Sequence, residues 1–443
     1  MWNMIKFIGY HFHPVGQGLF SSGKIQGISK PNGIRNEFNW VYDCGTSSSH
    51  SLITREIDIL SSRWIPPANA KKPILDLVTI SHFDKDHTSG LVDLIKRFRV
   101  KKLLLPYMPF WQRIFLAFER GISFTSAEFD IFLNPISFIS GIPGREIDQI
   151  LFCPGIEDER IGAELSSNEN NNPSNDNNSG WDLSYLEILP DENDYPQELK
   201  EENQSQGQIP IVLLKPKSTL QIQNEWEFIP YNDCKTFPKP PPKFISAVEI
   251  QRKILLSGPN KASLGRLKKL YDSQFGKTSK TRNGISLYMY AGPQMKSMKR
   301  RISMGFSFQC NHTCDFFHSL CPFHYIGCNF KDLLKKIKPL NSIGILYTGD
   351  GYLDTPNKLA DLIAYLKKPF RQILCFQVMH HGSKDNWHAG MGSRLNPLIS
   401  VFSSNPYILK PGHPHPDVWK DFIKFGRTQV DEDWGLSILL GLN

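Results

Sequence analysis

Residues 74–80 read Ile-Leu-Asp-Leu-Val-Thr-Ile, a short β-prone run, and they stop at Ser81-His82-Phe83-Asp84-Lys85-Asp86-His87. This strand exit constrains the chain more than any other feature. A buried strand that ends and turns there fans His82, Asp84, Asp86 and His87 around one point. Two imidazoles and two carboxylates at one point suit a pair of divalent cations. A polar loop with scattered His and Asp is the plain alternative, but the HxDxDH spacing directly after a β-rich run is a specific pattern.

The segments around it predict layered α/β structure. Residues 5–12 read as a strand that enters the glycine turn Val15-Gly16-Gln17-Gly18, and residues 38–42 read as another that ends in Asp43-Cys44-Gly45. Residues 90–99 have helical spacing, with Leu91, Leu94, Ile95 and Phe98 on one face, and 101–105 read as the next strand. This β–loop–helix–β order indicates an α/β fold. Residues 166–180 and 191–208 are too polar to bury, and 238–242 form a proline-rich linker. The short runs 183–189 and 209–214 look strand-like. The expected division is an N-terminal part of the core at 1–109, partly disordered insertions at 110–280, and a C-terminal part of the core at 281–443. There, strand-like runs recur at 285–290, 344–348 and 373–378.

The bulk properties exclude little beyond a membrane protein or a secreted disulfide scaffold. The 443 residues carry a formal charge of +8, a mild excess that suits an anionic partner such as nucleic acid without requiring one. No stretch approaches the ~18 apolar residues of a membrane span, and the N-terminus lacks a signal-like apolar segment. Eight cysteines do not form a disulfide framework. A soluble cytoplasmic protein without membrane association is the expectation.

Three later groups belong with the first. Residues 345–347 run into Thr348-Gly349-Asp350, residues 373–379 into His380-His381-Gly382-Ser383, and further on stands Gly412-His413-Pro414-His415-Pro416. Together they describe strand ends that converge on one site. In this order the chain resembles the metallo-β-lactamase superfamily, in particular the hydrolase domain of ComEC-type DNA-uptake competence proteins. Val15 to Gly18 is similar to that family's VGQG, Asp43-Cys44-Gly45 to its DxG, and His82 to His87 to its HxDxDH. Asn283, Ser286 and Leu287 resemble its NxxSL, Gly349-Asp350 its GD, His380 to Ser383 its HHGS, and Gly412 to Pro416 its GHPHP.

The resemblance implies an αββα metallo-β-lactamase sandwich with insertions, and two divalent metal ions at one edge between the sheets. His82 and Asp84 would hold the first ion and Asp86 and His87 the second. Asp350 would bridge them, and His380 or His381 would complete the second site. Asp43 and Gln17 would support the ligands from behind, Asp86 would be catalytic, and His413 would donate a proton or contact phosphate. Most of the superfamily has a histidine where this chain has Asp84, and another before the bridging aspartate. This chain has none between His87 and His312. Oxygen ligands shift preference from zinc towards manganese or magnesium, so the ion stays open between zinc and manganese. The two ions would lower the pKa of a water for attack on phosphorus or a carbonyl. Lys296, Lys299, Arg300 and Arg301 could track a nucleic-acid backbone or simply face solvent.

A second cluster stands apart. Cys310, Cys314, His318, Cys321, His324 and Cys328 crowd into one short segment, as a structural tetrahedral zinc would need, although no CxxC occurs. Buried thiols without metal are the alternative.

The leading expectation is a metal-dependent nuclease or phosphodiesterase. Family analogy links stand-alone chains of this kind to anti-phage defence modules with an NTPase or other protein partner. The alternatives are a small-molecule ester, lactone or phosphoester hydrolase, and a catalytically silent sensor subunit of a defence complex.

Overall fold

The protein is described here by a computed structural model over residues 5–27, 37–64, 66, 70–123, 126–155, 183–185, 195–204, 209–222, 225–233, 239–258, 260–276, 286–294, 302–310, 343–366, 373–408, 410 and 412–442. It is mixed α/β, with two mixed β-sheets and helices. The strands are Ile5–Phe12 (β1), Phe20–Gly27 (β2), Glu37–Cys44 (β3), Ile74–Thr79 (β4), Arg99–Pro106 (β5), Glu146–Cys153 (β6), Ser184–Tyr185 (β7), Ile211–Leu213 (β8) and Leu220–Ile222 (β9). They continue with Trp226–Asn232 (β10), Leu287–Pro293 (β11), Ile302–Cys310 (β12), Gly344–Tyr347 (β13), Ile373–Gln377 (β14), Ile399–Ser403 (β15), Arg427–Val430 (β16) and Trp434–Leu442 (β17).

The nine-stranded sheet runs β12-β17-β1-β2-β3-β4-β5-β6-β8, and the eight-stranded sheet runs β16-β15-β14-β13-β11-β10-β9-β7. Each sheet has a parallel half and an antiparallel half. In the first, β3, β4, β5, β6 and β8 are parallel; in the second, β13 to β16 are.

Side-chain alternation decides what each face covers. In β3, Trp40 and Tyr42 join a core shared with Trp226, Phe228, Met289 and Tyr347 of the second sheet, while Val41 between them packs with the helices. In β4, Leu77 and Val78 divide in the same way. The helix-facing core of the first sheet takes Ile53, Ile57 and Leu60 from the helix His50–Arg63 (α1), and Leu91, Leu94 and Ile95 from the helix Leu91–Arg97 (α3). Between them lies the one-turn helix Lys85–Thr88 (α2). The second sheet presents Tyr288, Tyr290, Leu346 and Phe376 to Leu359 and Leu362 of a later helix over Pro356–Leu366.

The interval 110–280 does not stand outside this frame. It supplies β6 and β8 to the first sheet and β7, β9 and β10 to the second. It also supplies the helices Phe110–Glu119 (α4), Ala127–Leu133 (α5), Pro135–Ser140 (α6), Gln197–Gln204 (α7), Pro242–Leu256 (α8) and Lys261–Phe275 (α9). The sequence obscures this because the strands are short apolar runs separated by long polar stretches. Proline opens α8, and Asn134 and Asn260 cap α6 and α9 by accepting from Ser137 N and Ser263 N. The polar run 166–180, Asn283, the basic residues 296, 299, 300 and 301, and five of the zinc candidates (Cys314, His318, Cys321, His324 and Cys328) lie outside the described residues. The backbone of Cys310 ends β12, paired with Trp434 of β17. No helix among the described residues is long and apolar enough to cross a membrane.

Candidate metal centre

Every element of the centre leaves the carboxyl end of a strand, where parallel α/β sheets leave their backbone open to a site. At the end of β3, Asp43 adopts a left-handed φ of 54°. Its carboxylate accepts from Ser81 N at 2.6 Å and Ser81 Oγ at 2.7 Å, and it meets His87 Nδ1 at 2.7 Å. This contact fixes the His87 ring with Nε2 turned inward, the support that metal-bound histidines use. The next residues pack closely: a Cβ on Gly45 would collide with the His87 backbone, so glycine is needed there.

The second sheet contributes from β13 and β14. Gln377, buried at the end of β14, accepts from Thr348 N and Gly349 N at 2.8 Å each, and so shapes the turn that presents Asp350. Ser286 Oγ accepts from Asp350 N at 3.1 Å. After β14, His380, His381 and Gly382 take left-handed φ values of 46°, 57° and 84° in succession. Such a run is costly for two residues with a Cβ, and it swings both rings towards Asp350. His381 Nδ1 lies 2.6 Å from the carbonyl of Ser403 at the end of β15, to which it donates, leaving Nε2 for the centre.

Two groups result, and they share Asp350: Asp86, His87, Asp350 and His381 form one, His82, Asp84 and Asp350 the other. His87 Nε2 is 3.0 Å from Asp350 Oδ1, and His381 Nε2 is 3.0 Å from Asp86 Oδ2 and 4.0 Å from Asp350 Oδ1. His82 Nε2 is 3.5 Å from Asp84 Oδ2 and 3.6 Å from Asp350 Oδ2. Ligands ~2.1 Å from a tetrahedral ion stand about 3.4 Å apart, so these separations match the edges of a coordination shell. Among the described residues, the buried Nε2 atoms of His82 and His87 find no hydrogen-bond partner of good geometry, although Asp350 oxygens lie 3.6 and 3.0 Å away. Buried imidazole nitrogens normally do, so donor atoms aimed at a common space fit a cation.

The electrostatics agree. Burial opposes the charge on Asp86, yet His87 and His381 draw it down to about 2. Burial likewise opposes charge on Asp350, but His380, His87 and His82 hold it well below the usual carboxylate range. Burial would neutralise His87, but Asp350, Asp43 and Asp86 outweigh it and raise its pKa well above that of a free imidazole. His381 is raised against its burial by Asp86 and Asp350. Burial, then His87, lowers His82.

The expected ligands divide accordingly. His82, Asp84, Asp86, His87, Asp350 and His381 converge. His380 stands 3.5 Å from Asp350 Oδ2 but outside both groups, and its Nδ1 is held by Asn386 Oδ1 at 2.7 Å. His381 rather than His380 completes the second group. Gln17 lies further back than a direct support: its Oε1 accepts from Asn405 N at 3.1 Å, bracing the loop after β15 that carries the Ser403 carbonyl. The His413 ring centroid is 5.5 Å from that of His380 and 6.3 Å from that of His381. Burial, then His381 and His380, pull its pKa down to about 4.

Several contributors carry no motif. Ser81, Gln377, Ser403 and Asn386, whose Nδ2 donates to the Asp350 carbonyl at 2.8 Å, hold the candidate ligands, and of these only Gln377, a polar residue inside an apolar strand, left a signal in the sequence. Arg120 is the largest omission. It caps the C-terminus of α4, which stops at the left-handed Gly121, and its guanidinium pairs with Asp84. Burial lowers it to about 9 against the pull of Asp350, so it stays cationic at neutral pH.

No protein-family model matches the chain, and no curated protein matches it. The functional argument therefore rests on the geometry of this centre.

Proposed function

We propose that this chain is a metal-dependent hydrolase built as the αββα sandwich of the metallo-β-lactamase type, and that it cleaves phosphodiester bonds in nucleic acid. One observation carries the reading: Asp350, after β13 of the second sheet, is shared by two His/Asp groups, one joining Asp86 and His87 from the loop after β4 to His381 from the loop after β14, the other holding His82 and Asp84. A divalent ion held in such a cluster supplies Lewis acidity and a water whose pKa falls towards neutrality.

The chain's own groups do the rest. Asp43 and the Ser403 carbonyl fix the tautomers of His87 and His381, so that each offers Nε2 as a lone pair. Asp86 and Asp350 remain ionised down to low pH and keep the centre able to attract a cation. Arg120 places a fixed positive charge beside it, complementary to an anionic substrate. His413, its ring 5.5 Å from that of His380, stands at the rim of the centre, where an imidazole can exchange a proton.

The test is incubation of the purified chain with labelled single- and double-stranded DNA and RNA under Mn²⁺, Mg²⁺ or Zn²⁺, beside an Asp86→Ala/His87→Ala control. Cleavage by the wild type that disappears in the control is expected. Cleavage that survives in the control, or none with any ion, overturns the proposal.

A further inference from the structure

The two halves of the centre are unequally built. Asp86, His87, Asp350 and His381 give one half a complete set of four ligands, and both of its histidines are anchored through Nδ1 by an oxygen acceptor. Among the described residues, the other half has His82, Asp84 and a share of Asp350, and the Nδ1 of His82 meets the hydroxyl of Ser81 at 2.9 Å. The chain has no histidine between His87 and His312 to add to it. What α4 brings there instead is Arg120, 11% exposed, with its guanidinium on the Asp84 carboxylate. A guanidinium in that place sets a positive charge against the one carboxylate peculiar to this half, and a divalent ion beside it would meet a like charge in a poorly solvated space.

We infer that this chain holds one divalent ion tightly, at Asp86, His87, Asp350 and His381, and that the Arg120 guanidinium takes the place of the second ion beside Asp84 and His82. The inference rests on reading the cluster as a metal centre. It also narrows the substrate: an anion that bridges the ion and a planar, forked guanidinium fits, as a phosphodiester does through two of its oxygens. Arg120 is then a substrate-positioning charge that no metal buffer can remove.

The measurement is Mn²⁺ binding to the metal-free full chain, followed by equilibrium titration and electron paramagnetic resonance. Mn²⁺ suits the purpose because thiolates favour softer ions, so the cysteine-rich segment around 310–328 does not add to the count. Wild type is expected to bind one Mn²⁺ per chain with the six-line spectrum of an isolated ion. Arg120→Gln is expected to bind two, with the exchange-coupled spectrum of ions that share a carboxylate, while Arg120→Lys keeps the charge and stays at one. Asp84→Asn in the otherwise wild-type chain should leave the count at one, and this variant decides the matter if the Arg120 variants fail to fold. Two coupled ions in wild type, a single ion in folded Arg120→Gln, or a count that falls in Asp84→Asn would each overturn the inference. A wild type that binds no Mn²⁺, Zn²⁺ or Mg²⁺ at the cluster would instead remove the metal reading beneath it.

Discussion

Two buried groups of ionisable side chains in this molecule are assembled on opposite principles. Beneath α4, Arg113 donates to the carbonyls of Phe132, Met108 and Leu133 and pairs with Glu202 of α7. Nearby, Arg252 of α8 grips both oxygens of Glu249, at 2.7 and 2.6 Å, and also pairs with Glu201. Cation faces anion, and the charges are spent on joining helices. At the carboxyl ends of the strands, imidazole nitrogens and carboxylate oxygens face a shared space. A buried charge network that answers its own charges is a fastener; one whose donor atoms converge is a receptor.

The sharpest way to break this contrast is to remove the residue common to both His/Asp groups. Asp350→Ala should lower Mn²⁺ affinity by roughly a thousand-fold or more, measured by equilibrium dialysis, while leaving the helical network intact. In the other region, Glu202→Leu strands Arg113 as a buried cation. It should cost about 3–5 kcal/mol in denaturant unfolding with no change in metal content, and Arg113→Met added to it should recover much of the loss. Asp43→Ala sits between these, because it frees the His87 ring without deleting a ligand. Titration calorimetry should find metal affinity lower by roughly 10–100-fold.

The smallest effect concerns pH. Glu198 of α7 accepts from Phe110 N at 2.5 Å, and its burial, against the pull of Arg113, raises it to about 7. A carboxyl that holds its proton more tightly when folded contributes stability at low pH. That contribution is lost as pH rises from about 4.5 through about 7. Wild type should therefore lose on the order of 1 kcal/mol across that window relative to Glu198→Gln, read as the difference between their unfolding free energies. Equal slopes would mean that Glu198 is not held protonated by the fold.

The contrast also explains what the sequence disclosed. The centre was legible because its candidate ligands sit at strand exits, where a β-prone run must give way to polar residues within a few positions: 79 to 82, 347 to 350, 377 to 381. The strand β1 was legible end to end, from Ile5 to Phe12, because its turn signal follows at once. Whether His380 or His381 is the ligand depends on consecutive left-handed backbone angles, and adjacent identical residues carry no mark of those. The Arg113–Glu202 and Arg120–Asp84 pairs join positions 89 and 36 residues apart, and neither spacing belongs to a helix or strand period. The pairing of β12 with β17 was equally hidden, since nothing local joins residue 302 to residue 442.

Asp86 and His381, which meet at 3.0 Å, are separated by 295 residues of chain. On the ribosome, the HxDxDH loop is therefore made long before Asp350 and His381 exist, and a partly synthesised chain holds only an incomplete claw. The full donor set comes together only when both sheets have formed and faced each other. The order of synthesis thus leaves the candidate centre incomplete until the strands on both sides of it have been made.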